Sequence, residues 1–439
     1  MKILKYYLLL GSFFLFLQTY GQYLPSSSPL AEGLTKEGIG RVSKFLNEMP
    51  AKGQTPGSVT MIVRNGKMVF LQSSGKANLE TGEDMREDHL FRMASMTKLV
   101  TTVGALKLFE QGYFTMDTPL ETFLPEFSNP EIFESYDSKT GQFKTHPAKN
   151  KILMKHVFTH TSGITYPPFV SDGREGYLKA GVMASFPKNG ANIKVSDELN
   201  KLAKLPLSHE PGESWTYGMN MDILGRIIEI ITGKSLPIYL KEEIFEPLNM
   251  NRTYFGVPEN EWKNMAQVYA TDETGIHVYT DKDLKKYFNS PNTTSMDYYR
   301  NTHTDQVFGG ADMISNIKDY SRFLQMIMNN GELDGTRILS KKTIEMLETP
   351  LFDVISNHMV AQSHGPRVQA GLSVRIMQDD IAKFQLISTG SYYWSGYFNT
   401  QFWMDRKEKM FYIVLRQHTP EPFKQNDRLK HLIWGSIGK

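Results

Sequence analysis

A serine and a lysine, Ser95 and Lys98, stand three positions apart at the start of a segment with helical character. The apolar residues that follow, Leu99, Val103 and Leu106, recur at roughly helical spacing, which predicts a helix beginning near Ser95. Residues three apart share one face of a helix, so the amine can reach the hydroxyl. A serine hydroxyl is a weak nucleophile until a base takes its proton, and a neutral amine can take it. The pair therefore predicts nucleophilic catalysis, with the N–H groups of the helix start available to an oxyanion.

The same pattern also fits a helix-capping serine followed by a solvated lysine. Two further stretches of the chain bear on the choice between this structural role and catalysis. Tyr217 follows a Pro-Gly turn and begins a strongly apolar helix that continues through 223–231. Trp394 and Gly396 lie in 390–405, an aromatic-rich stretch that reads as a turn and then a strand. On residue type alone, Tyr217 also fits a half-buried aromatic at a helix start.

The segment 91–98 resembles the nucleophile segment of serine β-lactamases, penicillin-binding proteins and their esterase relatives. The stretches around Tyr217 and Trp394 resemble the second and third motifs of that superfamily, in the same order. The resemblance extends from about residue 34 to residue 418 and is nearest to the esterase-like branch related to class C enzymes. It implies an α/β sandwich, in which both chain ends form an antiparallel sheet flanked by helices, with an inserted all-helical region.

The resemblance also implies roles for individual residues. Tyr217 would face the nucleophile as general base, and the N–H groups of Ser95 and Tyr397 would form the oxyanion hole. Gly396 would let the substrate approach the strand closely. The usual Tyr-x-Asn motif is altered, because Met219 stands at its third position, and Asn220 is the candidate for the substrate-orienting amide.

The third motif bears on the substrate. Position 394 is Trp, where many members carry a lysine that meets a substrate carboxylate. An uncharged, aromatic-lined site favours a neutral carboxylic ester or related acyl compound, which makes an esterase the leading hypothesis. A β-lactamase or D-amino-acid peptidase acting on cell-wall-type substrates is the alternative, with Arg416 or another cation binding the carboxylate. A non-catalytic scaffold that binds peptidoglycan or a protein partner is a third hypothesis.

Composition narrows the other possibilities. The 439 residues carry a formal net charge of only +2, which gives no indication of nucleic acid binding. The chain has no cysteine, and its His156–His160 pair lacks the companion glutamate of a zinc motif, so we expect neither a metal nor a cofactor. The expected partners are small-molecule esters, β-lactams or peptides.

The first residues predict a secretory signal at 1–21, with a basic start, an apolar run at 6–17 and small residues before Gln22. That run is shorter than a membrane-spanning helix, so we expect no stable membrane span after cleavage, although an uncleaved anchor is the alternative. A linker at 22–33 and one hydrolase domain at 34–439 follow. We therefore expect a periplasmic or secreted protein.

Overall fold

The structure, a computed structural model, describes residues 23–191, 193–288, 294–300, 306–353, 368–378, 382, 384–420 and 424–438. The predicted signal sequence at 1–21 lies outside these residues. In the described part of the chain the α-helices are α1 (Lys36–Ala51), α2 (Thr97–Glu110), α3 (Met154–Phe158), α4 (Arg174–Lys179), α5 (Val195–Leu202), α6 (Asn220–Thr232), α7 (Leu236–Leu240), α8 (Asp281–Phe288), α9 (Ile317–Met328), α10 (Lys341–Leu347) and α11 (Gln425–Trp434).

The strands of the described residues group into one large sheet and several small ones. They are β1 (Gly57–Arg64), β2 (Lys67–Asn78), β3 (Glu83–Asp84), β4 (Phe91–Arg92), β5 (Glu131–Asp137), β6 (Gln142–Pro147), β7 (Tyr269–Asp272), β8 (Gly275–Val278), β9 (Ile314–Ser315), β10 (Glu332–Leu333), β11 (Thr336–Arg337), β12 (Phe352–Asp353), β13 (Val368–Ala370), β14 (Arg375–Met377), β15 (Tyr392–Ser395), β16 (Gln401–Asp405), β17 (Met410–Leu415) and β18 (His418–Thr419). The nine-stranded sheet has the order β12-β13-β14-β15-β16-β17-β1-β2-β3.

Both chain ends build this sheet, because β1 pairs antiparallel with β17 as well as with β2. The β1–β2 hairpin turns at Asn65 and Gly66, which adopt φ angles of 54° and 75°. Positive φ at both central residues is the conformation that Asn-Gly favours in a two-residue hairpin. The predicted sandwich with a sheet made from both ends is therefore confirmed.

Helices cover both faces of the sheet, so its central strands are buried on both sides. In β1, Met61 and Val63 join the larger hydrophobic core with α2, α6 and α9, while Ile62 joins a second core with α1 and α11. All eight residues of β1 are buried for this reason. The larger core holds α2, the helix that carries Lys98, against the sheet.

The inserted region is not all helical, which corrects one part of the predicted fold. The hairpin of β5 and β6 lies within it, joined through a turn in which Gly141 has φ 73°. Aromatic side chains hold this hairpin: Phe143 packs on Tyr136 and on Tyr177 of α4 at ring-centroid distances of 5.2 and 5.0 Å. Aromatic residues at cross-strand positions favour strands, so the signal was present in a stretch that reads as loop-rich.

The segment predicted to be a linker, 22–33, packs on the domain over its described residues 23–33. Pro25 O accepts the N–H of Met68 at 2.7 Å, and the carboxylate of Glu32 lies 2.8 Å from the Lys67 ammonium. This segment therefore belongs to the folded body at the β1–β2 turn. Across the described ranges, none of the helices combines the length and the hydropathy needed to cross a bilayer.

Candidate active site

Ser95 lies in a single 3-10 turn, Ala94–Met96, between β4 and α2. Ala94 has φ 46°, a left-handed conformation that residues other than glycine rarely adopt. The hydroxyl of Thr97 donates to Ala94 O at 2.6 Å and holds the turn. The regular helix thus begins at Thr97, two residues later than the spacing predicts. Within the turn Ser95 stays partly exposed while its neighbours are buried.

Gly396 positions this turn from the end of β15. Its N–H donates to Thr400 O at 2.7 Å, and the Thr400 hydroxyl donates to Met93 O at 3.0 Å. A Cβ atom at position 396 would overlap both Met93 O and the Thr400 hydroxyl. The glycine is therefore required by the close approach of the protein's own backbone, a constraint that exists before any substrate approaches the strand.

The three predicted catalytic side chains come together. Ser95 Oγ lies 2.6 Å from the Tyr217 hydroxyl and 3.2 Å from Lys98 Nζ. Lys98 is fully buried, and its Nζ lies 4.9 Å from the centroid of the Tyr217 ring. Ser95 Oγ thus has two proton-accepting or proton-donating partners within hydrogen-bond distance.

Lys98 also contacts groups outside the predicted set. Its Nζ donates to Gly310 O at 2.7 Å and to the Tyr166 hydroxyl at 3.1 Å. Both partners contact the buried Asp222: Oδ1 accepts the N–H of Gly310 at 2.8 Å, and Oδ2 accepts the Tyr166 hydroxyl at 3.4 Å. Burial raises the pKa of Asp222 to about 6, although the Lys98 charge opposes that rise.

Aromatic rings surround Tyr217 and fix its orientation. Trp215 stacks on it at 6.1 Å with an interplanar angle of 18°, and Tyr166 and His160 lie at 5.2 and 5.3 Å. Burial lowers the pKa of His160 well below its usual value, with the Lys98 and Arg375 charges acting in the same direction. His160 is therefore a neutral imidazole at physiological pH.

A cavity of about 330 Å³ opens in front of Ser95. Its lining comprises Ala94, Ser95, Tyr166, Pro168, Phe169, Ala184, Ser185, Phe186, Tyr217, Ala311, Arg375, Tyr393, Trp394, Ser395, Gly396 and Tyr397. The predicted residues Trp394, Gly396 and Tyr397 are thus on the cavity wall with Ser95. The expected aromatic lining is present.

The cavity wall carries a charged residue. This corrects the expectation of an uncharged site, which partly supported the esterase hypothesis. The guanidinium carbon of Arg375 lies 5.2 Å from the Trp215 ring centroid and 5.5 Å from that of Trp394. Arg375 comes from β14, the strand beside β15, and is buried. A cation from the neighbouring strand thus lies beside the position where Trp394 replaces lysine.

Two predicted site residues lie off the cavity wall: Lys98, which contacts Ser95 from a buried position, and Asn220. Of the two, only Asn220 was predicted to contact the substrate. It begins α6, is fully buried, accepts the Ser162 hydroxyl at 2.6 Å through Oδ1 and contacts His160 Nδ1 through Nδ2 at 3.0 Å. The displacement of the amide by one place relative to Tyr-x-Asn turns it toward the turn that contains His160 and Ser162. Its place in the structure is therefore behind the aromatic cluster.

Sequence reasoning missed three residues near the nucleophile. Tyr166 follows the His160 turn, in a stretch that reads as surface loop, and nothing in its local pattern marks it. Arg375 interrupts the apolar run 372–377, and a charge inside a buried strand is the signal that could have found it. Gly310 lies in a Gly-rich stretch that predicts close packing. A Cβ there would lie 2.8 Å from both Asp222 Oδ2 and the Tyr166 hydroxyl.

This chain belongs to the beta-lactamase family, because the family model described as Beta-lactamase matches residues 42–433. Members of this family are serine hydrolases and acyltransferases.

Three similar proteins extend the comparison. The acyltransferase mokF of Monascus pilosus is 28% identical over 74% of this chain and 77% of its own length. The esterase EstB of Burkholderia gladioli is 30% identical over 47% of this chain and 48% of its own. Among solved structures, EstCE1, described as a hydrolase with promiscuous acyltransferase activity, superposes with a TM-score of 0.75 at 20% identity. That superposition covers 92% of this chain and 99% of EstCE1, and it shows the shared fold.

Proposed function

We propose that this protein is a serine hydrolase that forms an acyl-enzyme at Ser95 and cleaves carboxylic esters. The observation that carries the proposal is the arrangement of Ser95 Oγ between Tyr217, at 2.6 Å, and Lys98, at 3.2 Å. The position of Ser95 and Tyr217 on the wall of an aromatic cavity supports it. The similarity to mokF and EstB, whose names describe an acyltransferase and an esterase, supports the same class of chemistry.

In the acylation step, Ser95 Oγ attacks the ester carbonyl carbon while its proton passes to the Tyr217 and Lys98 pair. The pair can accept this proton when it holds one proton fewer than a phenol beside an ammonium. We assign the oxyanion to the N–H groups of Ser95 and Tyr397, both on the cavity wall. Collapse of the tetrahedral intermediate breaks the ester C–O bond, and the alcohol leaves with the proton that the pair had taken.

In the second step, water attacks the acyl carbon of the Ser95 ester. The same pair takes a proton from the water and returns one to Ser95 Oγ, which releases the carboxylic acid. An alcohol in place of water would give acyl transfer from the same intermediate. Water is the acceptor in this proposal.

Mass spectrometry after treatment with a fluorophosphonate probe tests the covalent step. We expect the wild type to gain one probe adduct on the peptide that contains Ser95, and Ser95→Ala to gain none. Because Ser95 is partly exposed on the turn, the alanine variant should keep the wild-type fold and melting temperature. An unlabelled wild type, or labelling of another serine, would contradict the proposal and favour a non-catalytic binding protein.

A second candidate function follows from one observation, the Arg375 cation on the cavity wall. A guanidinium suits a carboxylate, which β-lactams and D-amino-acid peptides carry and simple esters do not. Hydrolysis of p-nitrophenyl butyrate should be compared with hydrolysis of a chromogenic cephalosporin. We expect ester cleavage to dominate, whereas efficient cephalosporin turnover without ester cleavage would reverse the ranking.

We also propose that this chemistry takes place in the periplasm or outside the cell, since the sequence at 1–21 has the pattern of a secretory signal. Mass analysis of the mature protein from its native host tests this. We expect an N terminus at Gln22. A mature chain that still begins at Met1 would contradict cleavage.

A further inference from the structure

Asp222 is a buried carboxyl group near the active site that the mechanism above leaves without a role. It lies in the first turn of α6 and is 1% exposed. Its two oxygens have different partners: Oδ1 accepts the N–H of Gly310, and Oδ2 accepts the hydroxyl of Tyr166. A buried carboxyl group is costly unless such bonds compensate it.

The two partners of Asp222 are also the two groups that hold Lys98 on the side away from the nucleophile. Lys98 Nζ contacts Gly310 O at 2.7 Å and the Tyr166 hydroxyl at 3.1 Å, and its third contact is Ser95 Oγ at 3.2 Å. Gly310 is thus held at its N–H by Asp222 while its carbonyl binds Lys98. One carboxyl group fixes both anchors of the amine.

The direction of the Tyr166 hydroxyl proton determines whether the Tyr166 oxygen can accept a hydrogen bond from Lys98. A phenol has one proton to donate. If that proton points to Asp222, a lone pair of the Tyr166 oxygen faces Lys98 and accepts an N–H. When the amine is in its neutral form, its two N–H groups can go to Tyr166 and Gly310, which leaves its lone pair pointing to Ser95 Oγ. The geometry for accepting the serine proton is set before substrate binds.

We propose that Asp222 and Tyr166 are positioning residues that aim the lone pair of Lys98 at Ser95. This inference rests on the proposed function, because it assigns how the base of that reaction is oriented. Neither residue is needed for the chemistry of the acyl transfer itself. Both act through Lys98.

The same arrangement predicts an acid limit to activity. Burial raises the pKa of Asp222 to about 6. The titratable groups that face it are Lys98, Tyr166 and Asp312, and burial raises the pKa of Asp312 to about 8. A protonated Asp222 could donate to Tyr166, which would then turn its own proton toward Lys98 and remove the acceptor. Activity should therefore fall as the pH drops through about 6.

The test uses Tyr166→Phe, Asp222→Asn and the double variant in the full chain. The second-order rate of fluorophosphonate labelling at Ser95 is measured from acid to alkaline pH. The matched control is Tyr239→Phe, a buried tyrosine that donates to Gly104 O at 3.0 Å on the part of α2 beyond Lys98. We expect Tyr239→Phe to label at the wild-type rate.

We expect each single variant to label about 10- to 100-fold more slowly than wild type at neutral pH, because the amine loses its fixed orientation. The double variant should label no more slowly than the worse single variant, since Tyr166 acts on the amine within the network that Asp222 holds. Asp222→Asn should also lose the fall in labelling rate near pH 6 that the wild type shows. If Asp222→Asn does not fold, the labelling rate and pH profile of Tyr166→Phe still test the inference. That variant removes a single hydroxyl, so we expect it to fold.

Two results would overturn the inference while the proposed function stands. One is a Tyr166→Phe variant that labels as fast as wild type, and the other is a double variant whose loss is the product of the single losses. A wild-type protein that is never labelled at Ser95 would instead remove the proposed function, and this inference with it.

Discussion

The two walls of the active site differ in how their polar groups are satisfied. Lys98, Tyr166 and Asp222 form what we call the Lys98 wall, where the amine and the carboxyl group are buried and linked through the Tyr166 hydroxyl. Trp394 represents what we call the Trp394 wall, where the indole N–H is buried and has no hydrogen-bond partner among the described residues. The Lys98 wall satisfies its polar groups within the protein, whereas the Trp394 wall leaves one buried donor unsatisfied. The comparison suggests that one wall sets the chemistry and the other selects the substrate.

The largest effect should come from the Lys98 wall. Replacing the amine in Lys98→Met removes a proton-accepting group, so we expect kcat/KM for p-nitrophenyl butyrate to fall about 1000-fold. Lys107→Met is the control, since Lys107 lies on the same helix and pairs with Glu243 at 2.6 Å away from the site. A Lys98→Met variant within about tenfold of wild type would contradict a role for the amine as base.

The next largest effect is expected from a change that displaces the turn carrying Ser95. Gly396→Ala places a Cβ against Met93 O and the Thr400 hydroxyl, so the Ser95 turn or the end of β15 must move. We expect kcat/KM to fall about 100-fold, since small displacements of a nucleophile are that costly. The free energy of unfolding should fall by about 1–3 kcal/mol from overpacking.

Gly40→Ala in α1 is the control for that variant. No atom lies within 4 Å of the Cβ that it would add. Alanine in a helix should raise the free energy of unfolding by about 0.5–1 kcal/mol with unchanged activity. A Gly396→Ala variant that behaves in the same way, by urea unfolding and by kinetics, would show that the turn tolerates movement.

The comparison of the two walls also shows which residues of the candidate site can be predicted from the sequence. The spacing of Ser95 and Lys98 is local, so the sequence alone predicts that the two lie close together, whereas the turn that carries Ser95 also depends on Gly396 and Thr400. Tyr217 and Trp394 became site residues only through the resemblance to a known family. Arg375 reaches the cavity from the first residue of β14, so its location depends on the pairing of β14 with β15.

The Asp222 network illustrates the same limit. Tyr166, Asp222 and Gly310 are far apart in sequence and meet only through tertiary packing. No local periodicity can indicate such a meeting. The β5–β6 hairpin was missed for another reason, because half-exposed strands held by aromatic side chains lack a clean alternation of apolar and polar residues.

A smaller effect should come from the Trp394 wall. Trp394→Phe keeps an aromatic ring against His160, which stacks on it at 6.3 Å, and removes the N–H donor together with the pyrrole part of the indole. If a substrate uses that donor, the loss of about 1 kcal/mol should raise KM about fivefold with kcat unchanged. Steady-state kinetics with p-nitrophenyl butyrate measure this. A fall in kcat at constant KM would instead assign Trp394 to the chemical step.

The smallest effect on activity is expected at Asn220. The sequence predicts that this residue contacts the substrate, whereas in the structure it is buried and links Ser162 to His160. Asn220→Ala leaves the Ser162 hydroxyl without its acceptor, so the free energy of unfolding should fall by about 1–3 kcal/mol in urea titrations. Because Asn220 lies off the cavity wall, KM for the ester should not change. A raised KM with unaltered stability would instead show that Asn220 reaches the substrate and takes the role of the missing Tyr-x-Asn amide.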